Sequence, residues 1–496
     1  MLLVSSDDVR AADSAAAELG TPTTKLMEAA GLAVAAALRD SWPGANRPLL
    51  LCGPGNNGGD GFVAARLLAS AGARPIVLAL RPDASNGEAA EAARRAWQAV
   101  GTIGPLDVAS LHAALEEADV VVDALFGSGL QRPLEGGVER VVRRLGRWSG
   151  QVLAVDLPSG VDADLAVPPG THVRAGRTVQ LAWACPASVL APARFAFGAW
   201  TVADIGMPFG ALVQTERPRL VDDAAARDAW PEPEPDVHKY LAGTVLIAAG
   251  SLRWSGAAEL ACRGAHRAGA GLVTLLTDAP HPSRWPETIT VPLDDEPGAL
   301  ARAISDVSER HKGARVFGPG LDPERIPELV YALENATMPT ILDASALDPS
   351  LQEATATRPG RWLTPHHSEA ARLLGSDPAE VRRDPIGAAV ELAQRWGSGV
   401  VLKAAGSVIA APDGRVRVVA AGHPGMASGG SGDVLAGIVG AALAAPHDDA
   451  LERVAAAVYL HACAGEEAGR TYGRGMTASD IADALPAAQR RVFGAW

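Results

Sequence analysis

The chain has 496 residues, 48% of them hydrophobic and 20% charged, with a formal net charge of −13. That mixture is too apolar and too sparsely charged for a disordered chain. Its acidic balance excludes a broad basic surface for nucleic-acid phosphates, so an anionic ligand has to be held locally.

At roughly 150 residues per domain, the length calls for two to three domains. The start, Met1-Leu-Leu-Val-Ser-Ser-Asp-Asp8, lacks the basic residues and long apolar core of a secretory signal, and a cytoplasmic protein is expected. From Leu49 to Asp162, short apolar runs alternate with alanine-rich stretches. The runs are Pro48-Leu-Leu-Leu-Cys52, Pro75-Ile-Val-Leu-Ala-Leu80, Asp119-Val-Val-Val-Asp123 and Gln151-Val-Leu-Ala-Val-Asp156. This rhythm predicts a parallel sheet wrapped by helices, a Rossmann-like three-layer αβα domain, with Asp123 and Asp156 at strand ends where open α/β sheets bind ligands.

Between Thr215 and Asp236 the pattern gives way to acids, prolines and short alanine runs, including Pro231-Glu-Pro-Glu-Pro235. Residues 216–235 are the expected linker between domains at 1–215 and 236–496. Alternation resumes with Gly243-Thr-Val-Leu-Ile-Ala-Ala-Gly250, Leu272-Val-Thr-Leu-Leu276, Pro339-Thr-Ile-Leu-Asp343 and Gly399-Val-Val-Leu-Lys403, which predicts a second α/β domain. The small-residue stretch from Ser255 to Gly271 suits close helix–sheet packing. The apolar stretch from Val434 to Ala445 is too short and glycine-broken to span a bilayer and reads as a buried helix.

Two glycine-rich segments carry the chemical signal: Gly53-Pro-Gly-Asn-Asn-Gly-Gly-Asp-Gly61, with a helix expected from Phe62 to Ala71, and Pro424-Gly-Met-Ala-Ser-Gly-Gly-Ser-Gly-Asp433. Glycines let backbone N–H groups converge on a phosphate, above all where a helix begins. The first segment has neither a Walker pattern nor a clean G-x-G-x-x-G. It offers Asn56, Asn57 and Asp60 beside amides, a set able to hold phosphate together with a cation. Two further acid-and-glycine turns, Asp123-Ala-Leu-Phe-Gly-Ser-Gly129 and Asp156-Leu-Pro-Ser-Gly160, fall on the same predicted sheet edge. Each aspartate alone could be a cap; convergence of several favours a site. In the second segment Asp433 opens an apolar helix behind a nest of amides, where it could accept a proton from a hydroxyl attacking a nucleotide phosphate.

Cys52, Cys185, Cys262 and Cys463 have no C-x-x-C spacing, which disfavours a zinc site and a disulfide framework. The adjacent His366 and His367 lack paired ligand spacing. Lysines number four, Lys25, Lys239, Lys312 and Lys403, and Lys403 stands in Leu402-Lys-Ala-Ala-Gly-Ser407.

Leu26-Met-Glu-Ala-Ala-Gly31, Asn56-Asn-Gly-Gly-Asp-Gly61, Asp123-Ala-Leu-Phe-Gly-Ser-Gly129 and Val155-Asp-Leu-Pro-Ser-Gly-Val-Asp162 together resemble the epimerase domain of the NAD(P)H-hydrate repair enzymes, across about residues 1–215. The resemblance implies a K+ site at Asn57, Asp123 and Ser159. It implies hydrated-dinucleotide contacts at Asn56, Asn57, Gly58, Gly59, Asp60, Gly127, Ser128, Gly129, Leu130, Gln131, Arg132 and Pro133, with Asp156 at the reacting ring. The loop Asp162-Ala-Asp-Leu-Ala166 departs from the family's usual Asp-Ala-Asp-Thr-Gly.

The second segment resembles the G-x-G-D anion hole of ribokinase-like kinases and, more closely, the dehydratase domain of the same repair enzymes, with His238-Lys-Tyr240, Phe317-Gly-Pro-Gly-Leu321 and Leu363-Thr-Pro-His366 in support. The implied residues are Gly256, Ala257, Gly320 and His366 for the hydrate, Lys403, Ala404, Ala405, Gly406, Ser407, Ser431 and Gly432 for ADP with Mg2+, and Asp433 as base. His367-Ser-Glu369 and Leu342-Asp-Ala-Ser-Ala-Leu-Asp348 depart from the family's Pro-Gly-Glu and Asp-Ala-Asp-Ala-Leu-Asn.

The expectation is therefore an α/β chain, Rossmann-like then ribokinase-like, that epimerises R- and S-NAD(P)HX and dehydrates the S form with ADP, releasing AMP and phosphate. Its partners are the small molecules NADHX and NADPHX and further copies of itself, with no nucleic acid and no membrane. A small-molecule kinase fused to a Rossmann-like sensor, or a catalytically silent nucleotide-binding scaffold, are the competing readings.

Overall fold

The structure is a computed structural model that describes the chain except residues 214, 231–235, 280–284, 309–312, 336–337, 357 and 495–496. It divides into one unit of Leu2–Arg217 and another of Pro218–Trp496 joined by Met1.

The first unit is built on seven strands: β1 Pro48–Cys52, β2 Ile76–Ala79, β3 Gly104–Pro105, β4 Val120–Ala124, β5 Gln151–Val155, β6 Arg177–Leu181 and β7 Ala199–Ala203. They lie in the order β3-β2-β1-β4-β5-β6-β7, and every pair is parallel. The four strands expected from the sequence appear within two residues of their anticipated limits. β1 and β4 are buried along their whole length, as strands with helices on both faces must be. One apolar layer gathers Val34, Leu38, Phe62 and Trp97 on one face, and the other gathers Leu111, Val141 and Leu145. The chain order reverses between β1 and β4, which makes their C-terminal ends the topological switch point.

One local expectation is corrected. The helix behind the first glycine segment spans Asn56–Ser70 rather than starting at Phe62, so Asn56, Asn57 and Asp60 are helical. Glycine disfavours a helix interior, yet here the glycines admit close packing that outweighs propensity. A β-carbon on Gly58 would lie 1.9 Å from the Gly53 carbonyl oxygen, and one on Gly61 would lie 2.7 Å from the Ala124 β-carbon.

Among the described residues the second unit carries ten strands: β8 Arg219–Leu220, β9 Thr244–Ala248, β10 Leu272–Thr277, β11 Thr288–Pro292, β12 Ala314–Phe317, β13 Thr340–Leu342, β14 Arg361–Leu363, β15 Gly399–Leu402, β16 Ser407–Ala410 and β17 Val416–Val419. Their order is β11-β10-β9-β12-β13-β14-β15-β16-β17-β8. The run from β11 to β15 is parallel, and β15, β16 and β17 form an antiparallel meander. The expected linker is partly folded: β8 pairs with β17 and a helix spans Asp223–Ala229. Its segment 231–235 lies outside the described residues.

The helices Ser255–Arg267 and Ser431–Ala444 meet at two glycines. A β-carbon on Gly264 would stand 2.2 Å from the Val434 carbonyl oxygen, and one on Gly437 would stand 2.0 Å from that of Ala261. The small residues thus serve a close helix–helix crossing as well as the expected helix–sheet packing, since Ala258, Ala261 and Ala265 share a core with Val245 and Ile247 of β9 and Val273 of β10. Among the described residues no helix is long and apolar enough to cross a membrane.

Candidate functional sites

The C-terminal ends of β1, β4 and β5 surround a cavity of about 590 Å3 in the first unit. Asn56, Asn57, Asp60, Gly127, Ser128, Gly129, Leu130, Arg132 and Asp156 all line it. Gly58 and Gly59 do not; they are packing contacts, with a β-carbon on Gly59 falling 2.6 Å from the Met27 side chain. Gln131 and Pro133 also lie outside the lining: Gln131 Nε2 donates to Ser6 Oγ at 3.2 Å, and Pro133 faces Gly170.

Beneath the cavity Asp123 is fully buried. It accepts hydrogen bonds from the Ser159 N–H at 2.8 Å and the Ser159 hydroxyl at 2.7 Å. Burial pushes its carboxyl up to about 6, against the pull of those bonds. The Phe126 N–H donates to Ser159 Oγ at 2.9 Å. The next residue, Gly127, comes so close to its neighbours that a β-carbon there would lie 2.6 Å from Asp156 Oδ2 and 3.5 Å from Asn57 Oδ1. Asp123, Ser159, Asn57 and Asp156 are therefore linked through one loop.

Asn57 is 9% exposed, and neither its amide oxygen nor its nitrogen has a hydrogen-bond partner. An orphaned buried carboxamide beside a buried carboxylate and a hydroxyl forms a hard oxygen donor set, which fits a cation and would relieve the unmade hydrogen bond.

Asp156 adopts φ 66°, a conformation strained for a non-glycine residue. Its Oδ2 accepts the Ser128 N–H at 2.9 Å. Burial raises its carboxyl above the ordinary range, opposed by that bond. Asp60, 6% exposed, is raised further by burial and by the charges of Asp156 and Asp13. Asp13, on the helix Ser6–Glu18, also lines the cavity; no sequence motif singled it out.

In the second unit, Asp433 lies in the first turn of the helix Ser431–Ala444. Gly430 ahead of it has φ 91° and supplies no side-chain cap; the Ser431 N–H donates to the Ser428 carbonyl at 3.4 Å, and the Gly432 and Asp433 N–H groups are left for a ligand. Lys403, following β15, donates to Asp343 Oδ1 at 2.7 Å, and Thr364 Oγ1 donates to the same atom at 2.7 Å. A β-carbon on Gly432 would stand 3.2 Å from Lys403 Nζ, which places the ammonium against the helix terminus. Burial pulls Lys403 down, but the Asp343, Glu369 and Asp433 carboxylates outweigh it and hold the ammonium above its usual value. Asp433 is pushed up to about 7 by burial and the Asp343 and Glu369 charges, with Lys403 opposing.

The remaining expected residues collect around this centre. Ser407 closes a tight turn over 403–407, its hydroxyl donating to the Ala404 carbonyl at 3.0 Å while Gly406 takes φ 98°. His366 forms a backbone bridge with Lys403 and caps the helix His367–Leu374 through Nδ1, so its ring serves a structural role in this state. Gly320 approaches Ala257 to within 2.8 Å of a built β-carbon, and Gly256 begins the same helix, whose Leu260 reaches Gly430. Ser431 lies 3.4 Å from the buried His461 Nε2. Sequence reasoning gave no role to Asp343, Thr364 or Glu369, although all three fall inside segments compared with the dehydratase domain, and it missed His461.

Fold and sites define a chain carrying two α/β catalytic units, one with carboxylates at a Rossmann-type switch point and one with a kinase-type anion hole. The NAD(P)H-hydrate dehydratase family matches residues 245–487, and the YjeF-related protein N-terminus family matches residues 23–187. The bifunctional NAD(P)H-hydrate repair enzyme Nnr of Moorella thermoacetica is 37% identical, covering 98% of this chain and 96% of its own length. That of Escherichia coli is 34% identical, covering 97% and 92%. The ADP/ATP-dependent NAD(P)H-hydrate dehydratase of Bacillus subtilis, crystallized with ATP/Mg2+, is 30% identical over 55% of this chain and 98% of its own, with a TM-score of 0.48. The chain belongs to the family of bifunctional NAD(P)H-hydrate repair enzymes.

Proposed function

We propose that the chain restores hydrated nicotinamide dinucleotides: the first unit interconverts R- and S-NAD(P)HX, and the second dehydrates the S form at the expense of ADP, releasing AMP and phosphate. The observation that carries this reading is Asp433 at an uncapped helix N-terminus beside the Lys403–Asp343 pair. Asp433 takes the proton of the hydrate's C6 hydroxyl as its oxygen attacks the terminal phosphoryl group. The N–H groups of Gly432 and Asp433, with Lys403, stabilise the charge that develops there. Phosphorylation turns hydroxyl into a good leaving group; the ring nitrogen lone pair expels phosphate to give an N1=C6 ring cation, which loses a proton from C5 to regenerate the dihydropyridine.

Lys403, Ala404, Ala405, Gly406, Ser407, Ser431 and Gly432 hold the nucleotide in this reading, and Gly256, Ala257, Gly320 and His366 border the hydrate. A Mg2+ ion accompanying the nucleotide would neutralise phosphate charge. In the first unit Asn57, Asp123 and Ser159 would hold K+, which supplies fixed positive charge that orders the loops around the dinucleotide. Asp156 stands at the reacting ring, where inversion of a carbinol carbon beside nitrogen requires proton movement. A cytoplasmic enzyme that self-associates completes the proposal.

The test is an assay of mixed hydrate epimers with ADP or ATP. Recovery of reduced-nicotinamide absorbance, matched by released phosphate, supports salvage. Accumulation of a stable phosphorylated product from an unrelated alcohol would make this a kinase instead.

A further inference from the structure

Three carboxylates share the cavity of the first unit: Asp13 from the helix Ser6–Glu18, Asp60 from the helix Asn56–Ser70 and Asp156 after β5. They differ in their hydrogen bonding. Asp156 receives the Ser128 N–H at 2.9 Å, a bond that favours its ionised form. Asp60 is more deeply buried than its neighbour Asn57, at 6% exposure. Among the described residues neither the Asp60 nor the Asp13 carboxyl has a hydrogen bond or ion pair. Of the arginines on the cavity wall, Arg10 is paired with Asp7 and Arg81 reaches Asn86, while Arg132 makes no bond to either acid. The orphaned Asn57 amide in the same wall shows independently that the cavity is built for a polar ligand.

Three carboxylates in one low-dielectric cavity cannot all be ionised, and the proton goes where no donor stabilises the anion and burial is deepest. That residue is Asp60. Its neighbours complete an acid–base division in which environment separates two like side chains.

We propose that Asp60 is the general acid of the first unit, protonated in the free enzyme, with Asp156 as its ionised counterpart and Asp13 as the positioning residue that keeps Asp60 protonated. This rests on the epimerase reading above. Asp60 gives its proton to the C6 hydroxyl, the C6–O bond breaks with the electron pair leaving on water, and the N1 lone pair forms the N1=C6 bond of a ring cation. Water then adds to the opposite face of C6, the N1=C6 pair returns to nitrogen, and the added water loses its proton to Asp156. One water leaves and one adds, so the net change is inversion. Proton exchange with solvent, or the reverse reaction, restores Asp60.

The test uses the full chain. Asp60→Asn keeps hydrogen-bonding capacity toward substrate but has no proton to give, so kcat for epimerisation should fall by about 100-fold or more with KM little changed. Asp60→Glu should return part of the rate. Asp13→Asn should move the alkaline limb of the epimerisation kcat/KM profile to lower pH, because one of the charges holding the Asp60 proton is gone. An unchanged melting transition of the first unit reports that each variant is folded there, and turnover of pure S-hydrate reports the same for the second unit. The infrared difference spectrum of the wild type minus Asp60→Asn at neutral pH should show a protonated carboxylic acid band. Wild-type kcat in Asp60→Asn, a change in KM alone, or an unmoved alkaline limb in Asp13→Asn would overturn the assignment. If the wild type epimerises nothing, the functional reading has failed, and the infrared band still decides whether Asp60 holds the proton.

Discussion

Lys403 Nζ donates to Asp343 Oδ1 at 2.7 Å, so the ammonium expected to serve the nucleotide is anchored by a carboxylate almost wholly withdrawn from solvent. The pair fixes where the positive charge stands beside the helix that carries Asp433. Asp343 also adds negative charge to the surroundings of Asp433.

Replacing Asp343 by Asn should therefore change two things at once. Lys403 loses its ionic partner and turns toward Asp433, and the like charge that raises Asp433 disappears. Both effects lower the Asp433 carboxyl, so the acidic limb of the dehydration profile should shift down by roughly one pH unit, read from kcat/KM between pH 5 and 9. Asp343→Ala, which removes the buried partner of Lys403 and every hydrogen bond it made, should cost about 3–5 kcal/mol of stability.

Asp433 has to be ionised to act as a base, and its carboxyl lies near 7. Dehydration should thus fall about tenfold per unit below that value. The sign for stability runs the other way. A carboxyl held above its unfolded value stabilises the fold while protonated, below about pH 4, and that contribution is lost as pH rises through 7. Asp433→Asn should accordingly raise the unfolding free energy more at pH 8 than at pH 5, by about 1–2 kcal/mol, while abolishing ADP-dependent recovery of NAD(P)H. Epimerisation should survive in Asp433→Ala and be lost in Asp156→Ala, whose dehydration of pure S-hydrate should persist. Identical behaviour of the two alanine variants would defeat this division of labour.

The orphaned amide of Asn57 predicts a cation response. Titration with K+ should raise the melting temperature of the first unit, because an ion that binds only the folded state stabilises it by mass action. The rise should be absent in Asn57→Ala. Equal shifts in both proteins would place the cation elsewhere.

Gly58→Ala tests the packing account of the first glycine segment. Its β-carbon would meet the Gly53 carbonyl at 1.9 Å, a backbone contact with little room to yield. A loss of about 2–4 kcal/mol is expected, with epimerisation impaired and dehydration of pure S-hydrate retained. Gly55→Ala, which has open space around it, serves as the control.

The limits of legibility follow a physical pattern. Buried parallel strands such as β1 and β4 stand out as continuous apolar runs, so the sheet rhythm and the acids at its ends could be read directly. The start of the helix Asn56–Ser70 could not, because glycine propensity argues against it and only contact with Gly53 and Ala124 overrides that preference. The short strands β3 and β8 carry too few residues to show any period. Asp13 and His461 sit on elements far apart along the chain, with no local spacing to mark them.

The order of apolar runs and glycine-acid segments by itself determined two α/β units and the identity of the acids most exposed to chemistry, since side-chain type and strand burial are local properties. Only the tertiary structure decided which acids share a cavity, which carboxylate is already engaged by a lysine or a backbone N–H, and which is left without a donor. Those are questions of distance and desolvation between remote segments, and they set the charge each group carries.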